Sequence, residues 1–117
     1  MRPNGLPHTA RLHLKRDFER IIQAGAKYQA KGLVLWCQNT RKEGPARMAV
    51  VVSKKLGPAV VRNRTKRILR EVFRTYRTRL IPGTDVILNP RNSETLSQVQ
   101  AAQQTLMTLY KQAELIK

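Results

Sequence analysis

Arg62-Asn63-Arg64-Thr65-Lys66-Arg67 packs four cations into six residues, and Arg70, Arg74 and Arg77 follow it at helical spacing. Guanidinium forks and ammonium point charges recognise phosphate oxygens, so a surface built from these types binds a polyanion rather than breaking bonds. Placed at 100° per residue, Val61, Thr65, Ile68, Leu69, Val72, Phe73 and Tyr76 fall in one arc, with Lys66, Arg67, Arg70, Arg74 and Arg77 opposite. The apolar arc needs a sheet to lie on. Only Glu71 offsets the charge of this helix, so the basic arc lacks the mixed signs of a face that need only be soluble.

The rest of the composition agrees. Against 23 Lys and Arg stand 7 Asp and Glu, a formal charge of +16, which favours nucleic acid over a membrane or an acidic protein. No run approaches the roughly 20 apolar residues of a spanning helix, and no signal-peptide core follows the N-terminus, so a cytoplasmic location is expected. The seven acids, Asp17, Glu19, Glu43, Glu71, Asp85, Glu94 and Glu114, are scattered, with neither a general acid and base pair nor a carboxylate cluster for metal. His8 and His13 have no carboxylate or cysteine nearby and do not make a metal pair. Cys37 is the lone cysteine and reads as a small buried strand residue. A protein-only nuclease is therefore disfavoured, and any metal site in the protein is left unassigned.

The elements that position the basic helix follow from local chemistry. At 117 residues the chain is one domain, residues 1–117, with the aperiodic stretch 1–9 as a mobile arm. From Leu12 onward Leu14, Phe18, Ile21 and Ile22 recur at helical spacing up to Gly25, a natural left-handed stop. Asp17 and Glu19 suit the positive end of that helix. Phe18 is either core or an aromatic platform beside a groove. Leu33 to Gln38 and Met48 to Ser53 read as a β-hairpin with a long loop, with Tyr28 beginning a short strand before it. Alternation sets Val34 and Trp36 on one face and Leu33, Leu35 and Cys37 on the other, which leaves Trp36 either buried or open to a base. Gly57-Pro58 starts the basic helix and Pro82-Gly83 ends it after Leu80. Thr84 to Asn89 is a further strand. A last helix opens near Ser93, capped by Ser93 or Thr95, and carries Leu96, Val99, Ala102, Leu106, Leu109 and Ala113 toward Lys117. A strand on each side of the basic helix suggests a βαβ unit, for which the general rule favours a right-handed crossover.

From Val52-Ser53-Lys54-Lys55-Leu56-Gly57 through Arg62-Asn63-Arg64 to Arg67 and Arg70, the chain resembles the protein subunit of bacterial ribonuclease P. Arg11-Leu12, Asp17-Phe18, the hairpin, Pro90-Arg91 and the closing helix extend the likeness over most of the chain. The resemblance implies an α+β two-layer sandwich in the order α-β-β-β-α-β-α, with a left-handed crossover in place of the right-handed one. It implies that a large RNA is the catalyst, holding Mg2+ together with the substrate, and that the protein promotes removal of the 5′ leader from precursor tRNA. By motif, Arg62, Asn63, Arg64, Lys66, Arg67, Arg70, Lys54 and Lys55 would contact the catalytic RNA. Phe18 and Trp36 would line the leader cleft, and Arg11, Arg74 and Arg91 would add phosphate contacts. The family usually has a smaller aromatic where Trp36 stands and often a second aromatic where Ile22 stands. The alternative is a ribosomal or general structured-RNA-binding protein with no part in cleavage.

Overall fold

The computed structural model describes residues 15–39, 44–92 and 98–116. The arm 1–9, both histidines, Arg11, Ser93, Thr95 and Leu96 lie outside the described residues. The elements are α1 (Lys15–Ala24), β1 (Ala26–Ala30), β2 (Leu33–Asn39), β3 (Arg47–Val50), α2 (Ala59–Tyr76), β4 (Thr84–Pro90) and α3 (Val99–Gln112), with 3-10 turns at Lys54–Leu56 and Arg77–Arg79. This is the expected order of helices and strands. The four strands form one mixed sheet in the order β1-β2-β4-β3, with β3 and β4 parallel across α2 and the other pairs antiparallel.

The expected hairpin between Leu33–Gln38 and Met48–Ser53 does not form, because β4 lies between those strands and pairs with both. Val86, Ile87 and Leu88 are all fully buried, and a strand apolar on both faces belongs in the sheet interior. The hairpin is instead β1 with β2. Ala30 opposes Leu33, and Lys31 and Gly32 close the loop with φ of 46° and 78°. Two positive φ values in a two-residue loop match the right-handed twist of the strands they join.

Strand parity divides the core as expected. Leu33, Leu35, Cys37, Met48, Val86 and Leu88 pack with Ile68, Leu69, Val72 and Phe73 of α2 and with Leu106, Leu109 and Tyr110 of α3. On the other face Ala49 and Ile87 pack with Ile21 of α1, flanked by Phe18 and Trp36. Helix α1 thus covers part of the face that α2 and α3 leave open. Burial pushes the Cys37 thiol above its ordinary value, in keeping with a packing role. Tyr110 is fully buried and its hydroxyl has no hydrogen-bond partner among the described residues. Removing an unsatisfied hydroxyl removes its desolvation cost, so Tyr110→Phe is expected to raise stability by about 1 kcal/mol in urea unfolding.

The helix ends differ in detail from expectation. Helix α2 stops at Tyr76 and tightens into the 3-10 turn before the buried Leu80. Helix α3 stops at Gln112 rather than running to Lys117. Glu114 takes a left-handed φ of 57°, which turns Leu115 into the core and lets Ile81 donate its backbone N–H to the Leu115 carbonyl at 2.8 Å. Gly25 follows the end of α1 as foreseen, with its N–H donating to the Ile21 carbonyl at 2.8 Å, but its φ is not positive. A Cβ there would stand 2.5 Å from the carbonyl oxygens of both Cys37 and Ile21. Glycine is required for close approach of α1 to β2, and Gly25→Ala is expected to cost more than about 1 kcal/mol in the same assay.

Candidate nucleic-acid interface

The cationic surface is built where β3 hands the chain to α2. Lys54 and Lys55 are exposed on the 3-10 turn. Gly57 follows at φ 152° and ψ −171°, a backbone region open essentially to glycine alone, and this turn aims the chain into α2. Within α2, Thr65, Ile68, Leu69, Val72 and Phe73 are buried. Thr65 is tolerated there because its hydroxyl donates to the Val61 carbonyl at 2.9 Å. Anchored by that stripe, the helix leaves Asn63, Arg64 and Arg67 exposed and Arg62, Lys66 and Arg70 half-buried.

Among the described residues no carboxylate pairs with Lys54, Lys55, Arg62, Arg64, Lys66 or Arg67. The far end of the basic arc is different. Arg74 donates through two nitrogens to Glu71, which lowers that carboxylate below its ordinary range and raises the guanidinium. A phosphate at Arg74 must therefore displace an acid, although so exposed a pair is weak. Arg77 donates Nε to the Ala46 carbonyl at 2.9 Å and helps tie α2 to the start of β3. Because β3 and β4 are parallel, Arg91 after β4 and Lys54 and Lys55 after β3 emerge at the same end of the sheet. Arg91 is exposed, and its N–H donates to the Gly32 carbonyl at 2.7 Å.

The opposite sheet face brings Phe18 and Trp36 together. Both are half-buried and both pack against the cluster of Ile21, Ala49 and Ile87. Lys27, directly across from Trp36 in the β1–β2 pairing, holds its ammonium 5.5 Å from the ring centroid. Ile22 does not join them and is 48% exposed. Beside this cluster lies a group that the sequence reading missed. Asp85, fully buried, accepts from Arg20 Nη2 at 2.8 Å and from Arg47 Nε and Nη2 at 2.9 and 2.8 Å. Those hydrogen bonds, above all, hold the Arg47 guanidinium above its ordinary value. The signal was present in the sequence, since an acid inside an apolar strand must be paired to be buried.

A family model described as Ribonuclease P matches residues 6–114. The chain belongs to the ribonuclease P protein family. It is 32% identical over 107 residues to the ribonuclease P protein component of Brevibacillus brevis, covering 92% of this chain and 85% of that one. The corresponding component of Gluconacetobacter diazotrophicus is 40% identical over 83 residues, 70% of this chain and 72% of that one. Among solved structures, the RNase P protein of Staphylococcus aureus matches with a TM-score of 0.80 at 28% identity, over 92% and 98% of the two chains. That of Thermotoga maritima matches with a TM-score of 0.72 at 33% identity, over 87% and 96%. The α+β fold of three helices on a four-stranded mixed sheet is therefore that of ribonuclease P proteins. In this family member the cationic and aromatic surfaces are carried by elements on opposite faces of the sheet. No helix among the described residues is long and apolar enough to cross a membrane.

Proposed function

We propose that this chain is the protein component of the ribonuclease P ribonucleoprotein, binding the catalytic RNA through Lys54, Lys55 and the α2 surface from Arg62 to Arg70. The observation that carries the reading is the row of cations from Arg62 to Arg67 that has no carboxylate partner among the described residues. Cations placed between crowded RNA backbones reduce their repulsion, which favours substrate binding without contact to the scissile bond. Arg91 adds a phosphate contact at the same end of the sheet, and Arg74 does so by exchanging Glu71 for phosphate. The single-stranded 5′ leader of precursor tRNA stacks in the cleft of Phe18 and Trp36, and the complex works in the cytoplasm.

Among the described residues the carboxylates of Asp17, Glu71 and Asp85 are engaged by arginines rather than gathered around a metal. Asp85 is held by two guanidiniums, Asp17 lies 3.6 Å from Arg20, and Glu71 is paired with Arg74. No group of three His, Cys, Asp or Glu side chains that could hold a metal gathers among the described residues. We propose, as the family resemblance implies, that Mg2+ and the hydrolysis belong to the RNA component and its substrate.

Stacking of a base on an aromatic ring is worth about 1–3 kcal/mol, so Trp36→Ala is expected to lower holoenzyme affinity for leader-bearing precursor by roughly tenfold. Affinity for mature tRNA should not change. An equal loss for both substrates contradicts the cleft assignment.

A further inference from the structure

We infer that Asp85, through Arg20, is the positioning residue of the aromatic cleft: it sets the roll of α1 and so keeps Phe18 open for stacking. The inference rests on the leader reading of that cleft. Its starting point is the disagreement between the apolar pattern of α1 and its observed burial. Phe18, Ile21 and Ile22 form an apolar arc centred near Phe18, so hydrophobic burial alone would turn Phe18 inward with an isoleucine on each side. Instead the buried face centres on Ile21, with Asp17, Phe18 and Arg20 half-buried around it and Ile22 turned out to 48% exposure. Three residues at 100° each separate the two centres by about 60°.

The group that accounts for this roll is the buried carboxylate. Arg20 reaches Asp85, 65 residues away in sequence, at 2.8 Å, and Asp17 lies 3.6 Å from the other side of the guanidinium at i,i+3. Arg47 holds the same carboxylate with two bonds from within the sheet, so the position of Asp85 does not depend on α1 alone. A helix of ten residues with a single buried side chain, Ile21, has little apolar contact to define its rotation. A charge-assisted bond to a fully buried acceptor is directional and costly to lose. It draws the Asp17-Arg20-Ile21 edge of α1 onto the sheet and leaves Phe18 half-buried at the margin of the cluster that Trp36 also flanks.

Arg20→Met tests this, because it keeps the packing stem, removes the guanidinium and leaves the Arg47–Asp85 pair in place. Trp36 is the sole tryptophan, so its emission reports on the cleft in the free protein. The expected result is a red shift of that emission and a fivefold or greater loss of affinity for leader-bearing precursor. Affinity for the ribonuclease P RNA should be unchanged, since Arg20 lies outside the α2 surface. Arg20→Lys, which returns a cation opposite Asp85, should recover most of the leader affinity. Unchanged emission in Arg20→Met overturns the inference. So does a shifted emission with leader affinity retained, provided Trp36→Ala loses it in the same assay. If Trp36→Ala itself has no leader-specific effect, the leader reading has failed and the positioning role falls with it.

Discussion

Replacing Arg64 and Arg67 together with alanine is expected to weaken binding to a ribonuclease P RNA by roughly 150-fold. A charge-assisted hydrogen bond contributes about 1.5 kcal/mol at the low end of its range, and two such losses sum to about 3 kcal/mol. Both side chains are exposed, so the fold should be unaffected and far-UV circular dichroism unchanged. The salt dependence distinguishes direct phosphate contact from general loss of charge. The slope of log K against log salt should become shallower by about 2, one for each contact removed. An unchanged slope would mean that these residues do not touch the RNA backbone.

The second large effect concerns stability. Asp85→Ala leaves Arg20 and Arg47 facing each other across the space of a fully buried carboxylate. Removing one member of a buried ionic group costs about 3–5 kcal/mol. The two arginine side chains are 34% and 27% exposed, so water can reach them and the lower end, about 3 kcal/mol, is expected in urea unfolding. That is a large part of the stability of a small domain. A loss below about 1 kcal/mol would show that the carboxylate is a minor part of the link between α1 and β3.

The sequence made α2 legible because a period of 3.6 residues depends only on neighbours along the helix. Every member of its foreseen apolar arc, from Val61 to Tyr76, is buried or half-buried. The alternation of Leu33 to Cys37 was legible for the same reason, with Trp36 half-buried on the side opposite Leu35. Strand partnership is a different matter, because it depends on contacts between distant segments. Nothing local to Met48 announces that β4, beyond the whole of α2, will separate it from β2. The Lys31-Gly32 turn was a local signal, but it carries one glycine and lacks the Asn-Gly or Asp-Gly pair that marks such loops most strongly.

Ile22 was misplaced for an energetic reason. Its spacing from Phe18 fits a core stripe, yet a buried charge on another strand outweighs that stripe and rolls the helix away from it. The same long-range dependence hid Arg20, Arg47 and Asp85, which lie on three separate elements and meet only after the sheet and α1 have formed. The end of α3 was misread because Leu115 is drawn into the core by a bridge between Leu80 and Ile116, far apart in the chain.

Precursor-tRNA cleavage at low Mg2+ by a bacterial ribonuclease P RNA, measured with and without this chain, tests whether the RNA catalyses and the protein assists. On this division of labour the chain freed of all RNA cleaves nothing, the RNA alone is slow, and the two together release the leader at the mature 5′ end. Cleavage by the RNA-free protein would contradict it, as would a chain that binds the RNA tightly yet leaves its rate unchanged.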